Sequence, residues 1–134
     1  MSGVDWESVW AEAQDAAAVA AEACVPRPMV VGDAIGLSDE IDYSKPTYYV
    51  AGGVCGFAGV KIRPARGKLV SELKKKGIGR RDDYAGGYYV SSYDLFRPAG
   101  ALVQSYEINC AIAGAAAEVL RSYGVDAHVE SRLD

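Results

Sequence analysis

The stretch VCGFAGVKIRP, residues 54–64, constrains the fold more than any other part of the chain. Read as a strand, it puts Val54, Ala58, Val60 and Ile62 on one face and Cys55, Phe57, Lys61 and Arg63 on the other. The first face suits a core. The second carries a ring and two cations, and Arg66 and Lys68 follow close behind. Glycine weakens a strand, so Gly53, Gly56 and Gly59 mark a bulge or the close approach of another backbone or a ligand.

Around this strand the periodicity alternates. Asp5 is placed to cap a helix over 6–24, with Trp6, Trp10, Ala13, Ala17, Ala20/Ala21 and Cys24 on one stripe, stopped by Pro26 and Pro28. Residues 29–37 read as a short strand and turn, 38–46 as an exposed loop and 47–52 as a strand. A short helix is expected over 66–76, with Leu69, Val70 and Leu73 inward, and a loop over 77–87. GYYVSSYD, 87–94, alternates Tyr88/Val90/Ser92 against Tyr89/Ser91/Tyr93 as a strand with two usable faces. A second long helix spans 104–123, its buried stripe marked by Ile108, Ile112, Ala116, Val119 and Tyr123. A last strand turns Val125, Ala127, Val129 and Leu133 inward, and Asp126, His128, Glu130, Arg132 and Asp134 outward. The order α-β-β-α-β-α-β predicts an α+β fold, a mainly antiparallel sheet with helices on one face plus an N-terminal helix. At 134 residues it reads as a single domain, 1–25 an N-terminal helix and 29–134 an α+β core.

Charge is distributed unevenly. Residues 61–97 hold ten Lys/Arg and four acids, net +6, inside a chain of net charge -4. The same span holds Tyr84, Tyr88, Tyr89, Tyr93 and Phe96. Such an island is either a solvated helix face with a basic loop or a place for an anionic partner. Long nucleic acid usually asks for a basic domain, so a small phosphorylated ligand fits the acidic total better and nucleic acid is not favoured. Arg66 falls where a helix begins, an unfavourable place for a cation unless an anion binds there. Arg63 pairs either with such an anion or with Asp82, Asp83 or the chain terminus.

The longest apolar run, CAIAGAAA, has eight residues, too few for a bilayer span, and the first residues carry Asp5 and Glu7 instead of a basic leader. A cytoplasmic protein with no membrane partner is expected. Cys24, Cys55 and Cys110 have no CxxC spacing and read as free buried thiols. No metal site and no cofactor is expected, since a zinc site would need ligands beyond the lone His128. The Walker A pattern fails because Ile62 stands where its first glycine is required. Cys55 with His128 is the one Cys/His pairing two strands can bring together for nucleophilic chemistry. The chain therefore reads as a binding protein and not as an enzyme. The helix stripes, two tryptophans at one end and alanines at the other, need something large to dock on, either the chain's own core or a second copy. The expectation is a homo-oligomer.

Two regions resemble a known family. VCGFAGVKIRP, and GVDAHVESRLD preceded by AAAEVLRSYG, resemble small phage proteins in which a Cys-Gly-Phe-Ala strand, a glycine-rich second strand, an alanine-rich helix and a closing Ser-Arg-(Leu/Met)-Asp recur. These resemble the Thoeris anti-defence sponge family, and the likeness covers about 48–134. It implies a phage-encoded, oligomeric, non-enzymatic protein in the host cytoplasm. Such a sponge sequesters cyclic ADP-ribose-type signals, and some members also hold cyclic oligonucleotides. Cys55, Gly56, Phe57, Ala58, Val60, Gly86, Gly87, Ser131, Arg132 and Asp134 match the pattern, while Gly59 stands where a tryptophan is expected. The candidate ligand-binding set is Phe57, Lys61, Arg63, Arg66, Tyr88, Phe96, Arg97, Asn109, Arg132 and Asp134. The alternative is a module that binds nucleic acid or inhibits a host protein through the basic region 61–97.

Overall fold

A computed structural model of the chain describes residues 3–36, 40–50 and 52–134. It has the expected α+β architecture. Helix α1 (Trp6–Ala23) starts where Asp5 accepts hydrogen bonds from the N–H groups of Glu7 and Ser8. It ends at an extended Cys24, just ahead of Val25, whose helical conformation Pro26 disfavours. Strands β1 (Met29–Gly32) and β2 (Thr47–Val50) form a separate antiparallel ribbon. Leu37, Ser38, Asp39 and Ala51, which the sequence assigns to a turn, a loop and a strand, lie outside the described residues.

The main sheet holds β3 (Gly56–Arg63), β4 (Arg80–Arg81), β5 (Tyr88–Ser91) and β6 (Asp126–Leu133), in the order β4-β5-β3-β6 and antiparallel throughout. The pair at Arg80 and Arg81 falls inside the segment read as a loop. Two residues are too few to show a period, and only their partners Tyr89 and Tyr88 make them a strand. The expected strand over 87–94 is shorter: at Ser92 the chain turns into a 3₁₀ helix capped by the Ser91 hydroxyl.

Helix α2 (Lys68–Lys75) and helix α3 (Tyr106–Ser122) cover one face of this sheet. Ala58, Val60, Ile62, Tyr88, Val90 and Ala127 form the sheet side of the core. Leu69, Val70, Leu73, Ile108, Ile112 and Leu120 form the helix side. Helix α1 packs mainly on α3. Ala13, Ala17, Ala113, Ala116 and Ala117 are fully buried, so small side chains let these two helices approach closely. The alanine stripes thus meet within one chain and are not free for a second copy. Tyr123, expected in the buried stripe, is the exposed C-cap of α3, and its hydroxyl donates to Glu12.

Leu133 is also a correction. It is in phase with Ala127, as expected, yet remains 61 % exposed. β6 is an edge strand, and the Tyr106 ring occupies the helix side of Gly56, Leu133's partner on β3. Cys24, Cys55 and Cys110 are free but only half-buried. Among the described residues no helix is long and apolar enough to cross a membrane.

Candidate functional site

With the helices on one side, the other face of the sheet is open. β3 contributes Phe57, Gly59 and Lys61 to it, β5 contributes Tyr89 and Ser91, and β6 contributes Glu130 and Arg132. Of these, Phe57, Tyr89, Ser91, Glu130 and Arg132 line a cleft of about 1000 Å³ together with the segment 80–84 and Tyr93.

Lys61 lies beneath this cleft and is fully buried. Gly87 makes that possible, because a Cβ there would stand 2.5 Å from the Lys61 Cδ. The ammonium meets Asp82 Oδ2 at 2.8 Å and Glu130 Oε2 at 2.9 Å. Burial works against its charge, but the hydrogen bonds and charges of the two carboxylates prevail and hold its pKa above the ordinary lysine value. Asp82 closes a turn as well. It accepts from the Ala85 N–H at 2.9 Å and the Tyr84 N–H at 3.0 Å. The Ala85 N–H, then Lys61 and the Tyr84 N–H, hold its pKa down at about 2. Lys61 is therefore part of the fold and does not reach a ligand, which corrects its place in the candidate set.

Arginines stand over rings on both sides of the cleft. The Arg132 guanidinium lies 5.2 Å from the Phe57 centroid and that of Arg80 lies 5.8 Å from the Tyr89 centroid. The ion pairs assign most of the remaining charge. Lys61 pairs with both Asp82 and Glu130, which leaves one negative charge over, Arg81 Nε sits 3.7 Å from Asp83, and Asp94 also lines the cleft. Among the described residues neither Arg80 nor Arg132 forms an ion pair. Above Gly59, where the resemblance leads one to expect a tryptophan, the ring is that of Tyr89. A Cβ on Gly59 would lie 2.5 Å from the Tyr89 hydroxyl and from the Val90 carbonyl. Burial, and then the Glu130 charge, push the Tyr89 phenol up, so it stays protonated at neutral pH.

Of the candidate set, Phe57 and Arg132 line this cleft. Arg63 and Arg66 line a second, shallower depression together with Lys74, Arg81, Asp83 and Asp126. Asp82 is taken by Lys61 and Asp83 by Arg81, so Arg63 donates instead to the Ala85 carbonyl at 3.4 Å. Tyr88 is a core residue whose hydroxyl donates to the Ile78 carbonyl. Phe96 packs against the core, and Arg97 lies over Tyr93 at 5.2 Å, outside the cleft lining. Asp134 extends the ladder by donating its N–H to the Cys55 carbonyl, and does not line the cleft.

Asn109 is fully buried. Its amide donates to the Gly56 and Val103 carbonyls at 3.3 and 3.2 Å, and its oxygen accepts from the Ser92 hydroxyl at 3.2 Å. No hydrogen-bonding capacity faces the cleft, so Asn109 is a positioning residue for β3. Asn109→Ala leaves the Gly56 carbonyl and the Ser92 hydroxyl without this partner, while the Val103 carbonyl keeps the Tyr93 hydroxyl, and is expected to cost about 2–3 kcal/mol in a urea melt. The variant is expected to bind any cleft ligand as the parent chain does at temperatures where it is folded.

Cys55 and His128 are far apart. His128 faces Lys61 across the ladder, six residues from Cys55, roughly 20 Å at strand spacing. His128 Nε2 instead meets Asp126 at 2.5 Å.

The residues missed in the sequence are Arg80, Tyr89, Ser91 and Tyr93. The alternation of 89, 91 and 93 was visible, but not that β5 lies beside β3. No family model, curated protein or solved structure matches the chain.

Proposed function

We propose that the chain is a phage-type binding protein that sequesters a cyclic nucleotide signal, a cyclic ADP-ribose isomer or a cyclic oligonucleotide, and releases it unchanged. The observation that carries this reading is the pair Arg80 and Arg132. Each guanidinium lies over an aromatic ring at the cleft, and neither has a carboxylate partner among the described residues. A guanidinium oriented on a ring presents its fork of donors to a phosphate, and Phe57 and Tyr89 offer apolar faces to a base. The cleft volume of about 1000 Å³ matches a ligand of nucleotide size. The resemblance of 54–64 and 115–134 to the sponge family favours the same class. The one Cys/His pairing that the sequence offers for nucleophilic chemistry, Cys55 with His128, is held roughly 20 Å apart at strand spacing.

The test is calorimetric titration with cyclic ADP-ribose isomers and cyclic di- and trinucleotides, followed by heat release and mass analysis. Micromolar or tighter binding of at least one compound, recovered intact, is expected. Product formed above background would restore the enzyme reading. Failure of all of them at 100 µM protein, with tight and steeply salt-dependent binding of a 12-nucleotide single strand, would give the basic region the nucleic-acid role instead.

A further inference from the structure

Strand β6 is the outer edge of the main sheet. Asp134 donates its N–H to Cys55 on β3, and an antiparallel ladder alternates. Even-numbered residues of β6 therefore turn their backbone groups to β3, and Ala127, Val129, Ser131 and Leu133 turn theirs outward. Arg121 Nη1 bonds the Ala127 carbonyl at 2.8 Å, as an outward carbonyl allows, and leaves its second lone pair open. An edge of this length is a template for another strand.

The side chains restrict which strand fits. On the open face β6 reads Asp126, His128, Glu130, Arg132, so that the two acids alternate with a histidine and an arginine. On the helix face it reads Val125, Ala127, Val129, Ser131, Leu133, of which Val129 and Leu133 are 39 % and 61 % exposed. Turned end for end about Val129, the strand complements itself. Asp126 meets the partner's Arg132, and His128 meets the partner's Glu130. Val129 meets its own copy, and Val125 meets the partner's Leu133. Centring on His128 or on Glu130 would set acid against acid, and centring on Ala127 or Ser131 would shorten the overlap.

We propose that the β6 edge docks the same edge of a second copy, antiparallel about a two-fold axis at Val129, so that two four-stranded sheets become one of eight strands. The contact is isologous and closed. It also covers the apolar residues that α3 leaves outside. It does not rest on the ligand reading, but it shares Glu130 and Arg132 with the cleft, so in the dimer Arg132 faces the partner's Asp126 as well as the cleft.

Sedimentation of the intact chain should show a dimer at micromolar concentration. Asp126→Arg and Arg132→Asp each create two like-charge pairs across the axis and should raise the dissociation constant by about tenfold or more. Combining them reverses every such pair and should return the constant to within about threefold of the parent. Val129→Pro removes an outward donor and should give a monomer; if it does not fold, the charge series still decides. A parent chain monomeric at 200 µM overturns the proposal. So does an assembly indifferent to both single changes, or one that the combined change fails to restore. Because Arg80 lies on β4, at the opposite edge, loss of ligand binding in Arg80→Ala with the dimer intact separates the two proposals.

Discussion

Asp82→Asn combined with Glu130→Gln is expected to melt roughly 10–20 °C below the parent chain, and Lys61→Met to fall by distinctly less. The asymmetry comes from which charge is enclosed. Lys61 is fully buried, whereas the Asp82 and Glu130 side chains remain 27 % and 43 % exposed. Removing the lysine leaves two carboxylates that can turn to water. Neutralising both carboxylates leaves an ammonium in the sheet with no counter-ion, which must either stay charged at high cost or lose its proton. In Lys61→Met the new side chain keeps most of the stem that fills the space under Gly87. Equal losses in the two variants would mean that the ion pairs do not hold Lys61 in place.

The same network makes the protein sensitive to acid, with a definite sign. The folded Asp82 pKa, about 2, lies below its ordinary value of 3.8. A carboxyl depressed on folding stabilises the fold above its unfolded pKa. That contribution is complete above about pH 4 to 5 and is lost as pH falls through about 2. Thermal melts from pH 6 to pH 2 should therefore show a steeper fall for the parent than for Asp82→Asn. Parallel curves would remove Asp82 from the acid response.

Apart from β4, the main elements were legible because each has a local cause. Asp5 caps its helix, and the stripes through Ala13 and Ile112 follow the helical period, although the second helix begins after its Ser105 cap and not at 104. β3 separates Ala58, Val60 and Ile62 from Phe57 and Lys61 by alternation alone. What was not legible is which strands lie side by side. The alternation placed Lys61 on the open face correctly, but nothing in the sequence says that Asp82 and Glu130, 21 and 69 residues away in number, converge on it. Asn109 and Tyr88 are polar residues whose partners, Gly56, Val103, Ser92 and Ile78, come from other elements. Read alone, such a residue resembles a ligand contact. Arg80 was passed over for the converse reason: its strand exists only through its pairing with β5.

Replacing both Arg80 and Arg132 with alanine is expected to weaken nucleotide binding by two to four orders of magnitude, while the melting temperature stays within a few degrees. Both side chains are at the surface, and among the described residues neither forms an ion pair, so the fold loses only two ring contacts when they are removed. A phosphate held by a guanidinium gains a charge-assisted bond of about 1.5–3 kcal/mol, and two on opposite sides of the cleft combine with little coupling. Each single change should therefore cost roughly one to two orders of magnitude. Arg→Lys should recover only part of that, since an ammonium keeps the charge but loses the fork and the stacking plane. Titration of these variants with whichever cyclic nucleotide binds the parent chain decides it. If Arg80→Ala binds as the parent does, the cleft is read by β6 alone. If the double variant keeps full affinity, the ligand lies elsewhere, and the depression lined by Arg63 and Arg66 is the next surface to mutate.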